Sequence, residues 1–283
     1  MELGVTAWSF ESLTLKDTLA LCSGLGFSRV DIPAFRERGR NGFDPFEVGE
    51  RPQQHADSLL RELAPYGMEV PDFFPQFGAS LHESSLNDPD PAVRARNRET
   101  IRGIIRFCQL AGIPGISLSP GVHHEQVSFE QNLDTSAQEF AILAEMAVDS
   151  GVTIRVEPHM HAIADTPERT LYLLHRASGA KVTLDYAHFM LQYISMDRIH
   201  KLLPHTDHVH VRQARMGKMQ TRTEEGEIDY ADIAARLAVC GYPGVLSIEY
   251  VNMDWYDCNQ VDCISETLKT KAALERALAR SGN

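Results

Sequence analysis

Eight short runs rich in β-branched residues alternate along the chain with eight longer amphipathic stretches, and this alternation constrains the fold more than any other feature. The strand candidates are Leu3–Trp8, Arg29–Pro33, Met68–Phe74, Gly115–Ser119, Val152–Glu157, Lys181–Asp185, His208–Arg212 and Val245–Tyr250. The helical candidates are Leu15–Leu25, Pro52–Tyr66, Pro91–Ala111, Ser128–Ser150, Pro167–Ala177, Met196–Leu203, Tyr230–Cys240 and Cys263–Ala279. Gly26, Gly67, Gly112, Gly151, Gly179 and Gly241 each stand after a helical stretch and before a strand, where a left-handed helix terminus favours glycine. In Asp165-Thr166-Pro167-Glu168 a capping residue precedes a proline at the first helical position, with a glutamate in the first turn. Strictly alternating βα units require parallel strands with right-handed crossovers. Eight of them in 283 residues predict an α/β protein of the (β/α)8 TIM barrel class. No Gly-x-Gly-x-x-Gly follows the first strand, which argues against a dinucleotide-binding sheet. No linker or composition break divides the chain. One domain is expected over residues 1–283, with the segment Gln76–Pro89 and the stretch after Tyr250 as loop insertions on the active-site side.

Composition narrows the function classes. The chain is 43% hydrophobic and 23% charged, an ordinary globular balance. Asp and Glu number 39 against 27 Lys and Arg, and the resulting charge of −12 has the wrong sign for binding nucleic acid. The five cysteines are scattered and form no CxxC pair, so reduced thiols in a cytoplasmic protein are expected rather than a disulfide framework or a thiolate zinc site. No apolar run approaches the roughly 18–20 residues of a membrane span, and the N-terminus lacks the charged and apolar regions of a signal peptide. A soluble protein with no membrane partner is expected.

The last four strands carry the chemistry. Successive side chains in a strand point to opposite faces, and the C-terminal strand ends of an α/β barrel form its active site. Thr153, Arg155 and Glu157 share one face of the fifth strand, and Thr183 and Asp185 one face of the sixth. His208, His210 and Arg212 alternate with two valines in the seventh, and Ser247 and Glu249 oppose apolar residues in the eighth. The barrel interior is therefore polar, and Glu157, Asp185, His210 and Glu249 each stand near a strand end. Three carboxylates converging in an enclosed space repel one another unless something positive lies between them. A divalent cation is one solution, and three carboxylates with an imidazole suit Mn²⁺ or Mg²⁺, with Co²⁺ and Zn²⁺ also compatible. The other is an interior ion network in which Arg155 and Arg212 neutralise the acids without metal.

Taken in order, Val156-Glu-Pro-His159, Thr183-Leu-Asp-Tyr-Ala-His188, His208-Val-His-Val-Arg212 and Ser247-Ile-Glu-Tyr250 resemble the xylose isomerase-like superfamily of TIM barrels. That superfamily includes sugar isomerases, ketose 3-epimerases, hydroxypyruvate isomerase, the inosose enzymes and, more distantly, endonuclease IV. The resemblance covers essentially the whole length. It implies Glu157, Asp185, His210 and Glu249 as metal ligands, Glu157 and Glu249 as the two acid/base carboxylates, and His188 as a contact to substrate oxygen. Arg215 lies where the family often places a substrate-binding arginine, with Arg212 as the competing choice.

Together these features predict a metal-dependent sugar isomerase or epimerase, in which the ion stabilises an enediolate while Glu157 and Glu249 remove and return protons. His159 and His161, on the loop after Glu157, are candidate pocket residues, as are His123 and His124 after the fourth strand. Trp8 is a candidate apolar wall for the sugar, although core packing also accounts for it. His208 is expected deeper in the barrel as a hydrogen-bonded core histidine. Arg215, Lys218 and Arg222 in Gln213–Glu227 suit an anionic substrate group, or belong to a solvated loop. Trp255 and Tyr256 in Asn252–Val261 suggest a lid or a contact between copies in a homo-oligomer. The Glu-Pro-His-Met-His run and the loop after the eighth strand depart from the ketose 3-epimerases. A lyase or dehydratase acting on a keto-sugar, inosose or 3-keto-glycoside is therefore the alternative, and a noncatalytic sugar-binding subunit is a third reading. The endonuclease reading is disfavoured by charge and by the sparse ligand set.

Overall fold

The structure is a computed structural model and describes residues 1–36 and 40–281. Eight parallel strands close into a barrel in sequence order: β1 (Glu2–Thr6), β2 (Val30–Phe35), β3 (Phe73–Gln76), β4 (Gly115–Leu118), β5 (Thr153–Val156), β6 (Lys181–Asp185), β7 (Thr206–Val211) and β8 (Val245–Ile248). The seam is closed by β1 against β8, in register from Glu2 opposite Val245 to Val5 opposite Ile248. The expected barrel is thus present, and all six glycines predicted to end helices have positive φ.

Around the strands run α1 (Leu15–Gly24), α2 (Pro45–Glu50), α3 (Pro52–Leu63), α4 (Pro91–Ala111), α5 (Phe129–Ala147), α6 (Pro167–Arg176), α7 (Tyr186–Leu191), α8 (Met196–Ile199), α9 (Tyr230–Val239) and α10 (Cys263–Ser281). Capping explains several starts. Ser128 and Gln131 form a reciprocal capping box on α5, and Thr166 accepts from the Arg169 N–H ahead of α6. Two short helices were not expected from periodicity. Both begin at an aspartate cap, Asp44 before Pro45 and Asp185 before Tyr186, and each is too short to show a helical repeat.

Three boundaries shift for physical reasons. The third strand starts at Phe73 rather than Met68, because Pro71 has no N–H for the ladder; only an isolated Arg29–Glu69 bridge remains upstream. Trp8 leaves β1 for a 3₁₀ turn over Ala7–Phe10. The expected helix Met196–Leu203 is one α turn continued as 3₁₀ through Pro204.

Two layers of core follow from strand alternation. Outward residues such as Val156, Val182, Leu184, Val209 and Ile248 are buried against the helices. The inward face is polar: Ser117 of β4 bonds Thr183 of β6, and His208 of β7 meets Asp31 of β2, contacts that nonadjacent strands make only through the barrel interior. Lower in the barrel, Arg155 bridges Asp72 at 2.7 Å and Asp207 at 2.8 Å. Gly115 makes that possible, since a Cβ there would fall 2.0 Å from the Arg155 guanidinium carbon. Among the described residues no helix is long and apolar enough to cross a membrane.

Candidate active site

The strand backbones carry Glu157, Asp185, His210 and Glu249 to one end of the barrel. The Glu157 N–H donates to the Leu118 carbonyl at 2.9 Å, and the Glu249 N–H to the Val211 carbonyl at 2.9 Å, so both glutamates stand one residue past their strands. Asp185 closes β6, and its Oδ1 accepts the Ala187 N–H at 2.8 Å as the cap of α7. All four side chains are buried.

Three of them converge. Glu157, His210 and Glu249 each offer a ligand atom, and these atoms lie within 4.8 Å of one another. His210 Nδ1 is 2.8 Å from Glu157 Oε1 and 3.6 Å from Glu249 Oε2. The Trp8 indole donates to Glu249 Oε1 at 2.8 Å, while Glu249 Oε2 makes no hydrogen bond. Asp185 stands one guanidinium away from this group. Arg212 Nη2 lies 2.5 Å from Asp185 Oδ2 and 3.5 Å from Glu249 Oε2.

Burial sets the electrostatics. It pushes the Glu249 carboxyl up to about 7, against the opposing pull of Arg212 and His210. Burial works the other way on His210, but Glu249, Asp31 and Glu157 surround the ring and hold its pKa well above the ordinary value. For His188, burial and the neighbouring His159 and Arg212 push the pKa far down, so the imidazole is neutral. Burial likewise lowers that of His159.

A cavity of about 200 Å³ opens beside these groups, with Glu157, His159, His188, Arg212 and Glu249 on its polar side. Trp8, Phe35, Phe74, Met253 and Trp255 form the apolar side. Trp8, Phe35 and Phe74 pack against one another with ring centroids 5.5–5.8 Å apart. His159 sits between His188, centroid to centroid 3.9 Å, and the stacked Trp255 ring at 5.5 Å. Trp8 is thus both wall and hydrogen-bond donor.

Other candidates lie elsewhere. His161 is exposed and bonds the Tyr256 hydroxyl at 2.5 Å on the rim. Arg215 is exposed in a turn whose backbone pairs with Lys218, outside the cavity lining. The surrounding loop is pinned by Gln220, which bonds the Val251 and Cys258 carbonyls, and by Thr223 on Glu266. His124 pairs with Ser85 at 2.8 Å, and His123 packs on Phe129. His208 is the expected core histidine, 2.8 Å from Asp31.

Asp31 is the main residue that the reading of the last four strands missed. Its Oδ2 also lies 3.4 Å from His210 Nε2, across the ring from the Nδ1 that faces Glu157 and Glu249. The signal was available: Asp31 is a lone carboxylate in the apolar run Val30-Asp-Ile-Pro-Ala-Phe35, in alternation with Phe35.

The model of the xylose isomerase-like TIM barrel family matches residues 19–278. A search by sequence among curated proteins finds no match. Among solved structures, the chain is similar to an L-ribulose 3-epimerase at 19% identity, covering 99% of this chain and 96% of that one with a TM-score of 0.74. It is similar to the D-psicose 3-epimerase of Clostridium cellulolyticum H10 solved with D-tagatose, at 16% identity over 99% and 98% of the chains and a TM-score of 0.73. The IOLI protein, solved with a zinc atom, matches at 17% identity over 99% of each chain with a TM-score of 0.71. At these identities the likeness is one of fold.

Proposed function

The chain belongs to the xylose isomerase-like TIM barrel family, and on that footing we propose that it is a divalent-metal-dependent enzyme that isomerises or epimerises a small carbohydrate by moving a proton at a carbon beside a carbonyl. The observation that carries the reading is the convergence of Glu157, His210 and Glu249 at the C-terminal end of the barrel, where both glutamates line a cavity and His210 lies buried behind them. The sugar epimerases among structures of this fold support the substrate class.

The donor set fits a hard divalent ion. Two carboxylates and an imidazole meet with no thiolate among them, and the buried Glu249 Oε2 lacks a hydrogen bond. Glu157, His210 and Glu249 would hold the ion, with Asp185 beside them on Arg212. Mn²⁺ suits these ligands best; Mg²⁺, Co²⁺ and Zn²⁺ are the alternatives, and zinc is bound in one structure of the same fold. Bound there, the ion would supply Lewis-acid polarisation of a substrate carbonyl.

The chain's own groups supply the rest. Glu249, with its carboxyl near 7, can give and take a proton close to neutral pH, and Glu157 is the second acid/base carboxylate. His188 is neutral and lines the cavity, which suits it to hold a sugar hydroxyl. His159 borders the same space. Trp8, Phe35, Phe74 and Trp255 offer faces for sugar C–H groups and keep water out. Arg215 and His161 stand outside this lining.

Exchange of substrate C–H hydrogen with D₂O, read by NMR over a panel of ketoses and aldoses with Mn²⁺ present, tests the proposal. The wild-type protein should incorporate deuterium into one of them, and Glu249→Gln should lose at least about 100-fold of that rate with its fold retained. Near-native exchange in the variant would sink the assignment of Glu249. Release of water or of an aglycone would instead mark the same carboxylates as performing elimination.

A further inference from the structure

Two loops meet at the rim of the cavity, and they are anchored differently. After β8 the chain is held at two points by one side chain: Gln220 accepts the Val251 N–H at 2.9 Å, and its amide donates to the Val251 carbonyl at 2.9 Å and to the Cys258 carbonyl at 2.8 Å. Between these points, residues 252–257 carry Met253 and Trp255 into the cavity lining. This tip bonds to itself and its own base, the Asp257 N–H to the Asp254 carbonyl at 3.2 Å and the Asn259 amide to the Asp254 carboxylate at 2.5 Å. The facing loop after β5 is fixed to the barrel. Its Ile163 N–H donates to the Gly121 carbonyl at 2.8 Å, and Ala162 pairs with Val122.

Consecutive rings of the tip sit on alternate histidines of that fixed loop. Trp255 stacks on His159 with centroids 5.5 Å apart, and Tyr256 on His161 at 6.0 Å, with the Tyr256 hydroxyl 2.5 Å from His161 Nε2. The backbone is strained at this meeting point: φ is 65° at His161, 50° at Tyr256 and 58° at Asp257, none of them glycine. A bulky side chain such as tyrosine rarely adopts the left-handed region, and strain of this kind persists where contacts hold it, as in ligand clamps and switch segments.

We propose that residues 252–257 form a lid on the cavity and that Tyr256 and His161 are its latch, positioning residues that hold Trp255 over the bound molecule without touching it. The inference rests on the proposed function for what passes the lid, a small carbohydrate, whereas the latch rests on the geometry of the two loops. A fixed loop facing a tip hinged at Val251 and Cys258 gives the motion an axis and a stop. Opening carries Met253 and Trp255 away from the lining and relieves the left-handed residues; closing excludes water from the proton transfer. One hydrogen bond on the exposed side is weak enough to break in every turnover, and it sets the balance between the two positions.

The chain has two tryptophans, so labelling with 5-fluorotryptophan gives two ¹⁹F resonances, assigned with Trp8→Phe. In wild type the Trp255 resonance should show relaxation dispersion on the microsecond-to-millisecond scale of lid motions, and that of Trp8 should show none. Tyr256→Phe keeps the ring and removes the hydroxyl, and should raise the open fraction about fivefold. His161→Leu should open the lid at least as far, and the two substitutions together should be less than additive, because each removes the same bond. A Trp255 resonance without dispersion in all of these proteins, an unchanged open fraction in Tyr256→Phe, or fully additive effects would overturn the proposal. Lid motion in a protein that moves deuterium into no ketose or aldose would leave the latch standing and overturn the proposed activity instead.

Discussion

Glu249 is poised by its immediate neighbours, and each neighbour can be changed separately. The Trp8 indole N–H donates to Oε1, a bond that favours the charged carboxylate. Trp8→Phe keeps an aromatic wall and removes that donor, so the Glu249 pKa should rise and the acidic limb of the pH–rate profile should move to higher pH. A limb that stays in place would separate Trp8 from proton transfer. Asp31 acts on the other side. Its carboxylate, held below the usual range because His208 and His210 overcome the burial that would raise it, stands behind the His210 ring. A carboxylate in that place keeps the far nitrogen protonated and presents Nδ1 to an ion. Asp31→Asn should weaken Mn²⁺ binding by about 10–100-fold with the fold retained, measured by calorimetric titration. His188 and Glu157 were legible from sequence for the same reason as Glu249: each belongs to a strand-end motif. Asp31 stands out in the sequence only as a lone carboxylate in an apolar strand; its place beside the histidines was not legible, because its partner His208 lies 177 residues away.

At the scale of elements, the strands and helices divide by how local their causes are. Helices α4 and α5 begin where their caps sit, Asp90 before Pro91 and Ser128 with Gln131, so sequence located them closely. Ser128→Ala should cost about 1 kcal/mol in urea unfolding, the usual worth of such a cap. Strand β4 depends on a contact that sequence does not show. Gly115 leaves the space in which the β5 side chain Arg155 reaches Asp72. Gly115→Ala should displace that guanidinium and destabilise the protein by about 3–5 kcal/mol, the range for breaking a buried pair, again read by urea unfolding. A loss below 1 kcal/mol would mean that Arg155 relaxes without losing Asp72. The short helices α2 and α7 escaped the periodicity reading because a six-residue helix completes fewer than two turns.

For the whole molecule, a buried site of this kind makes stability depend on pH. The Glu249 carboxyl rises from an ordinary value of 4.5 to about 7, so between those values the folded chain holds a proton that the unfolded chain has released. The stabilisation is full below 4.5 and is lost as pH rises through about 7. In EDTA, Glu249→Gln should therefore gain thermal stability relative to wild type as pH increases across that window; a gap independent of pH would show that Glu249 does not titrate there. The eightfold alternation of strand and helix determined from sequence alone that the chain forms a βα barrel, and the period-2 alternation within its strands determined that Glu157, Asp185, His210 and Glu249 look inward, because side-chain direction in a strand is a local property of the backbone. Closure decided the partners. Asp31 lies behind His210, and Asp185 lies with Arg212 rather than with the three converging donors, because distances across the barrel are set by the order and register of all eight strands.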